Sequence, residues 1–451
     1  MISVNGSGEH KSFLIKALSA YVKHFKKKGS FVKNASILIG SAGLGQIIGI
    51  LSAPILTRLF DPSDYGVFAV YSSTLGIIGS IVTLRYRMAI PLCEDNVGAK
   101  DTIVVSILAS FIVSVVTGLY LSYFGSETAT KLNSSGITPY LWFVPVGLFA
   151  TGVFQTLEFY VIRLKSFPAI AKSKLMESGF ATASKIGFGF MKIGSPGLMI
   201  GDLLGRISGA LVLLIHTLMI EKGFLKSLRL GGIKDIVTKY WRFPFLSAPS
   251  TLINAATYNM PPLMIAGIFG PVSTGFYSLA QRILILPVTF VGISVGQVYY
   301  GEGAKLVSKD IHALKRLYIR TVSVLFLLGL FPIGLLVLFG PFLFSFFFGD
   351  NWHQAGVFAR ILAPGYLVAF CSSTTTNLDL LERPDLSLYW TTGYFVLTIS
   401  GFYAAKRWSF SPENTLIIYS AIMFLAYITL FILNLFAIKM KAKKVTAHLI
   451  D

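Results

Sequence analysis

The sequence is poor in cysteine and in acidic residues. Its 451 residues include two cysteines, Cys93 and Cys371, too few for a disulfide framework or a cysteine-based metal site. Asp and Glu number 20 against 39 Lys and Arg, and only 13% of the chain is charged. With 54% hydrophobic residues and a mean hydropathy of +0.70, too little polar surface remains for a soluble protein of this size. We therefore expect a membrane protein.

The sequence also lacks the motifs of common enzyme classes. It contains no Walker A loop, no GxGxxG after a strand and no HExxH, and its six histidines are scattered. The loops predicted on the outer side are short, which leaves no room for the catalytic domain of a polysaccharide polymerase or ligase. The sequence therefore predicts no catalytic residue, no cofactor and no metal site.

Long apolar runs recur along the chain, and we interpret them as about 12 transmembrane helices. A run of about 20 helical residues matches the ~30 Å hydrocarbon core of a bilayer. The predicted spans are 35-57, 65-84, 102-124, 138-157, 173-193, 197-219, 243-267, 274-299, 320-345, 355-377, 386-405 and 413-438. The predicted fold class is an all-α polytopic membrane protein with two pseudo-symmetric six-helix lobes.

The basic residues are distributed asymmetrically between the two sides of these spans. With a cytoplasmic N-terminus, 30 of the 39 Lys and Arg fall in inner segments, five in outer loops and four within spans. Such an excess places both termini in the cytoplasm, with the basic loops against anionic membrane lipids. Because the charge is dispersed over many loops, no nucleic-acid partner is expected.

The longest inner connection divides the spans six and six. On either side of it, LFDPSDYG and IFGPVSTG share Phe, Pro and Gly at the same spacing, 209 residues apart, each in the outer turn of the first hairpin of its half. This repeat indicates a duplicated architecture. The predicted segments are a basic amphipathic stretch lying on the cytoplasmic leaflet (1-34), an N-terminal lobe (35-219), a cytoplasmic basic linker (220-242), a C-terminal lobe (243-438) and a cytoplasmic tail (439-451).

Charged residues within the spans are the candidates for function. A lysine or arginine at mid-span costs roughly 2.5 to 3.5 kcal/mol to insert, so it usually faces an aqueous cavity or a partner. The candidate cations within spans are Arg282, Arg206, Lys185 and Arg360; Arg85, directly after the second span, is a candidate only through the resemblance given below. Arg360 lies near the outer end of its span, where snorkelling to the interface is an equal alternative. Asp202 and Glu177 could take up a proton for coupling, but Asp202 and Arg206 are also spaced as a helical ion pair.

Polar residues form stripes on spans seven and eight. The candidates for a polar lumen are Ser250, Thr251, Asn254, Tyr258, Ser278 and Gln281. Two such stripes are expected around a central aqueous cavity, although hydrogen bonding within a packed bundle would give the same pattern. Because cations outnumber acids in these spans, the ligand of such a cavity would be an anion such as phosphate or pyrophosphate.

Two segments resemble a known family. Ala53 to Leu92 contains an RL-aromatic-x-P-x-acid-aromatic-Gly turn followed by Leu-Arg-Tyr, which is similar to the first hairpin of bacterial polysaccharide biosynthesis proteins of the Wzx flippase type. Gly275 to Lys305 resembles the start of their second lobe. The resemblance implies the multidrug/oligosaccharidyl-lipid/polysaccharide (MOP) exporter superfamily, whose MATE-like fold has two six-helix lobes. It also implies that cations such as Arg282 line the lumen.

The resemblance further implies a flippase of the bacterial cytoplasmic membrane. By alternating access it would move an undecaprenyl-pyrophosphate-linked oligosaccharide, such as an O-antigen, lipopolysaccharide, capsule or exopolysaccharide unit, from the inner to the outer leaflet. Polysaccharide polymerase and chain-length proteins would be its partners. Two alternatives stay open: a MATE-like antiporter of small molecules, which would need acidic lumen residues, and a non-transporting scaffold of a polysaccharide assembly complex.

Overall fold

The computed structural model describes residues 45–131, 135–224, 227–229 and 231–447, which are helical with no β-strand. The α-helices in these ranges are α1 Ala53–Leu59, α2 Pro62–Gly79, α3 Asn96–Lys131, α4 Phe143–Arg163, α5 Phe167–Phe190, α6 Ser195–Ile220, α7 Ile233–Lys239, α8 Ala248–Leu284, α9 Ile293–Lys309, α10 Ile311–Phe348, α11 His353–Ser373, α12 Pro384–Arg407 and α13 Pro412–Ala447. Residues 45–51 form a further helical turn before α1. The predicted segment 1-34, the first ten residues of the first predicted span and the last four of the tail lie outside the described residues.

Seven helical stretches in the described ranges are long and apolar enough to cross a membrane. They are Asn96–Lys131, Thr138–Arg163, Ser195–Ile220, Phe243–Gly292, Ile311–Phe348, Asp350–Ser373 and Pro412–Ala442. These stretches confirm a multi-pass membrane protein. The predicted spans in α2, α5 and α12 are helical too, but they are less apolar; α5, for example, carries both Lys185 and Glu177.

The seventh and eighth predicted spans meet at a sharp break in the backbone. Helix α8 runs from Ala248 to Leu284 and breaks at Gly270, whose φ of 82° is open to glycine but strained for other residues. Past α8, the π-helical turn Val288–Gly292 leads into α9. The predicted eighth span is therefore divided between α8 and α9, and the structure corrects its description as a single helix.

The two copies of the repeat touch each other. A Cβ added at Gly66 would overlap the carbonyl oxygen of Pro271, and one added at Gly275 would overlap the carbonyl oxygen of Pro62. The two contacts are equivalent, because each glycine meets the proline of the other copy. This reciprocity confirms the pseudo-symmetric relation between the halves of the chain, and it shows why both positions require glycine.

The end of the bundle that holds these contacts is the predicted outer end. Here Trp352, which precedes α11, is 1% exposed and donates its indole N–H to the carbonyl oxygen of Thr57 over 2.9 Å. Its ring packs edge-on against Tyr65 at 4.9 Å between centroids. The largest hydrophobic cluster accordingly extends from the C-terminal half to the first hairpin, so the two halves are joined at this end.

The predicted linker packs on the N-terminal half. Glu221 pairs with Lys100 at 2.8 Å, Arg229 lies 3.4 Å from Asp101, and Ile236 of α7 is buried against α3. The limits of the predicted lobes stay predictions. The described residues between 221 and 240 contact the inner ends of α3 and α4.

Candidate translocation site

Asp202 lies between two cations of the N-terminal half. Its Oδ2 accepts a hydrogen bond from Nε of Arg206 over 2.8 Å, and its Oδ1 is 3.6 Å from Nζ of Lys185. Arg206 donates a second hydrogen bond to the hydroxyl of Thr151 over 3.1 Å. The Lys185 ammonium lies over the ring of Phe68, 4.5 Å from its centroid. The i, i+4 ion pair predicted from the sequence is therefore present, with Lys185 as a third member.

Small residues bring this cluster together. Gly201, Gly205 and Gly209 recur every fourth residue of α6, along the side that faces α5. A Cβ at Gly201 would overlap the side chain of Lys185, and one at Gly205 would overlap Ala181. Glycines at this spacing let two membrane helices approach closely, which places the Lys185 side chain of α5 beside Asp202 on α6.

The charges along the interface of α4, α5 and α6 are balanced. Glu158 and Lys174 pair at 2.8 Å, and Arg206 is the strongest opposite charge near Glu177. Three acids and three bases line this interface: Glu158, Glu177, Asp202, Lys174, Lys185 and Arg206. Within the described part of the chain, Glu177 forms no hydrogen bond or ion pair, so it is a half-buried acid with a charged neighbour but no direct partner. A role of Glu177 or Asp202 in proton coupling stays a prediction.

Arg282 joins the two halves at the level of the cluster. Its Nη2 donates a 2.7 Å hydrogen bond to the backbone carbonyl of Gly49, and a Cβ at that glycine would lie 2.8 Å from the same nitrogen. Lys185 and Tyr65 are within electrostatic range of its guanidinium. Among the described residues Arg282 forms no ion pair. Arg282 is therefore a half-buried cation without an acidic partner there, in contrast to Lys185 and Arg206.

Arg85 lies at the predicted inner end, in a segment where α2 has unwound. Leu84 and Arg85 both have positive φ, 47° and 66°, which non-glycine residues seldom adopt. Nε of Arg85 lies 3.4 Å from the hydroxyl of Ser247, at the start of the C-terminal half. The neighbouring Arg87, which we did not assign to the site from the sequence, is buried and donates a 2.6 Å hydrogen bond to Oε1 of Gln155. The sequence feature that could have identified Arg87 is its position as the second arginine of Leu-Arg-Tyr-Arg, residues 84–87.

Arg360 is separate from this group. It is exposed on α11, where its side chain begins beside Gly340 of α10. Within the described ranges it forms no hydrogen bond or ion pair. The structure does not bring it to Asp202 or Arg282, and its assignment to the lumen stays a prediction.

The predicted polar lumen residues divide into two sets. Ser250, Asn254 and Tyr258 are exposed at four-residue spacing along one side of the inner half of α8, and Tyr258 is 45% exposed. Ser278 is half-buried and donates its hydroxyl to the carbonyl of Gly275. Gln281 is half-buried and Thr251 bonds back to its own helix. The first set provides an open polar surface, whereas the second bonds within the bundle or is partly covered by it.

An all-α membrane bundle of two related halves that meet at a half-buried cation, Arg282, is typical of a transporter. The family of polysaccharide biosynthesis proteins is described by a sequence model that matches residues 55–356, and the chain belongs to this family. No curated protein sequence matches the chain.

Solved structures of MOP-superfamily proteins have the same fold. The lipid II flippase MurJ in an inward closed conformation aligns with a TM-score of 0.69 and 13% identity, over 88% of this chain and 87% of that chain. An inward-facing multidrug resistance MATE transporter aligns with a TM-score of 0.60 and 17% identity, over 90% and 95%. An outward-facing MATE structure gives 0.54 and 15%, over 92% and 99%. At these identities the likeness is one of fold.

Proposed function

We propose that the protein is a flippase for a polyprenyl-diphosphate-linked oligosaccharide. It would move this lipid from the inner to the outer leaflet of the bacterial cytoplasmic membrane by alternating access between its two lobes, with both termini in the cytoplasm. Membership of a polysaccharide biosynthesis family supports the glycan, and the fold shared with a lipid II flippase supports the lipid carrier. An O-antigen, capsule or exopolysaccharide unit would be the cargo.

Arg282 is the observation that carries this proposal. It is a cation at the junction of the two halves whose hydrogen-bond partner is the neutral carbonyl of Gly49. Guanidinium groups bind phosphate oxygens in a bidentate manner, so a diphosphate could replace this carbonyl and gain charge pairing. The sugars would lie along Ser250, Asn254 and Tyr258, which offer exposed polar groups, and the polyprenyl tail would remain in the lipid.

The alternatives receive less support. A MATE-like antiporter of organic cations needs an acid that is free to pair with its cargo, whereas Asp202 is paired with two cations and Glu177 has Arg206 as its strongest opposite charge. A scaffold for polymerase and chain-length proteins requires no half-buried cation between the halves. The family and the fold are those of transporters and flippases, so we infer no enzymatic step.

A proteoliposome assay tests the proposal. The substrate is a polyprenyl-diphosphate oligosaccharide, and the measured quantity is the rate at which inner-leaflet glycan becomes accessible to an impermeant reagent outside. We expect the protein to accelerate this rate, Arg282→Ala to abolish the acceleration and Arg282→Lys to retain part of it. Arg407→Ala, at an exposed arginine that ends α12, is the matched control and should flip normally. A fully active, folded Arg282→Ala protein would contradict the proposal.

A further inference from the structure

The contact between Lys185 and Asp202 is looser than the other lysine–carboxylate pairs. Lys100, Lys131 and Lys174 lie 2.6–2.8 Å from their carboxylate oxygens. Lys185 lies 3.6 Å from Asp202, whose other oxygen is held by Arg206 at 2.8 Å. Asp202 is thus bound firmly to one cation and weakly to the other.

The surroundings of Lys185 allow its ammonium to change partner. The group lies over the face of Phe68 and within electrostatic range of Arg282. A lysine has a long flexible stem and a compact charge, so it can turn from one anion to another without a fixed bidentate geometry. Arg206, in contrast, is held by both Asp202 and Thr151.

A single arginine cannot balance the charge of a diphosphate group. If the diphosphate occupies Arg282, the nearest cation with a weak partner is Lys185. In the absence of substrate, the positive charges of Lys185 and Arg282 repel each other. An anion placed between them would relieve this repulsion.

We propose that Asp202 is the resting counter-ion of Lys185 and competes with the diphosphate of the substrate for this lysine. When substrate binds, Lys185 leaves Asp202 and joins Arg282 on the diphosphate. When Asp202 recovers Lys185, the diphosphate loses a ligand and is released. Asp202 is then a positioning residue: by competing for Lys185 it weakens the binding of the diphosphate and so allows the substrate to be released. The inference rests on the proposed function and adds the residue that controls substrate release.

The test measures binding and flipping separately with the full chain in lipid. Binding uses sugar-free undecaprenyl diphosphate in nanodiscs, and flipping uses the proteoliposome assay above. We expect Asp202→Asn to bind this probe at least about fivefold more tightly and to flip more slowly, because release is impaired. Glu127→Gln breaks the exposed pair with Lys131 at the end of α3 in the same lobe and is the matched control, with affinity close to that of the wild type. Asp202→Glu should restore both properties.

A second variant keeps the inference testable if Asp202→Asn does not fold. Lys185→Gln retains the pair of Asp202 with Arg206, and we expect it to bind the probe at least about fivefold more weakly. Unchanged affinity in folded Lys185→Gln, or unchanged or weaker affinity in folded Asp202→Asn, would overturn the inference and leave a purely structural ion pair. A wild-type protein that neither binds the probe nor flips the substrate would instead refute the proposed function.

Discussion

Trp352 closes the predicted outer end of the bundle, and its replacement should open it. The indole N–H bonds to the carbonyl of Thr57 over 2.9 Å, and the ring packs against Tyr65 and Phe276. The contacts with Thr57 and Tyr65 join the C-terminal half to the first hairpin of the N-terminal half. In an alternating-access cycle they would exist only while the outer end is closed, so their loss should favour the outward-open state.

The structure sets the size of the effect. Trp352→Phe keeps an aromatic ring but removes one buried hydrogen bond, which is worth about 1 kcal/mol. Because 1.4 kcal/mol corresponds to a tenfold change in an equilibrium constant, the outward-open fraction should rise about fivefold. Trp352→Ala removes the ring as well, at a cost of about 3–5 kcal/mol, and should shift the equilibrium by about a hundredfold or more.

Cysteine labelling measures this shift. Cys93 and Cys371 are buried and free, so both can be replaced before a single cysteine is introduced at Thr57, which is also buried. An impermeant maleimide added outside should label this cysteine about fivefold faster in Trp352→Phe than in the background protein. Trp408→Phe, at an exposed tryptophan of the same end, should leave the rate unchanged. Equal labelling rates in folded Trp352→Phe, Trp352→Ala and background proteins would refute the reasoning.

Two further predictions concern stability. Gly275→Ala should lower the free energy of unfolding by about 1–3 kcal/mol, because the added Cβ would overlap the carbonyl of Pro62. Gly179→Ala is the control, because the space around Gly179 is open. Equal melting temperatures of the two variants in thermal unfolding would count against the contact. Burial would raise the pKa of Glu221, but the hydrogen bonds from Lys100 and Tyr160 together with the charge of Lys100 outweigh it, and the pKa is below its ordinary value of 4.5. The contribution of Glu221 to stability is therefore present above that value and lost as the pH falls through the lowered pKa. Wild type should accordingly be more stable than Glu221→Gln at about pH 6 but not at about pH 3.5 in thermal unfolding, and a gap independent of pH would argue otherwise.

The repeat shows what sequence reasoning reaches and where it stops. Matched spacing related Gly66 to Gly275 as equivalent positions, because both copies need the same turn. It could not show that each glycine touches the proline of the other copy, because a contact between distant backbones leaves no periodic signal. Hydropathy likewise predicted helix and span, and the break at Gly270 falls between the seventh and eighth predicted spans, but hydropathy gave no sign that the π-helical turn Val288–Gly292 divides the eighth.

The charged site shows the same division. The pair of Asp202 and Arg206 is visible in sequence because an i, i+4 spacing fixes the geometry within one helix. Lys185 joins them from another helix, through a close approach that depends on glycines in α6. Arg282 has a backbone carbonyl as its partner, and every residue has one, so no residue type could have identified Gly49. Trp352 was not predicted to join the halves, since a tryptophan near the end of a membrane span is typical of an interface anchor.

The arrangement of charged residues around Arg282 affects whether a transported molecule should be a cation or an anion. An organic cation placed about 4 Å from Arg282 would meet a repulsion of about 4 kcal/mol at an effective dielectric constant of about 20. Only an unpaired acid nearby could offset this repulsion; Asp202 is bound to Arg206 and Lys185, and Glu177 has Arg206, not Arg282, as its strongest opposite charge. An anion at the same point gains a comparable attraction from Arg282 and can gain Lys185 as well. We therefore expect the site to favour an anionic head group, because the acids and bases along the interface of α4, α5 and α6 balance and Arg282 has no acidic partner among the described residues.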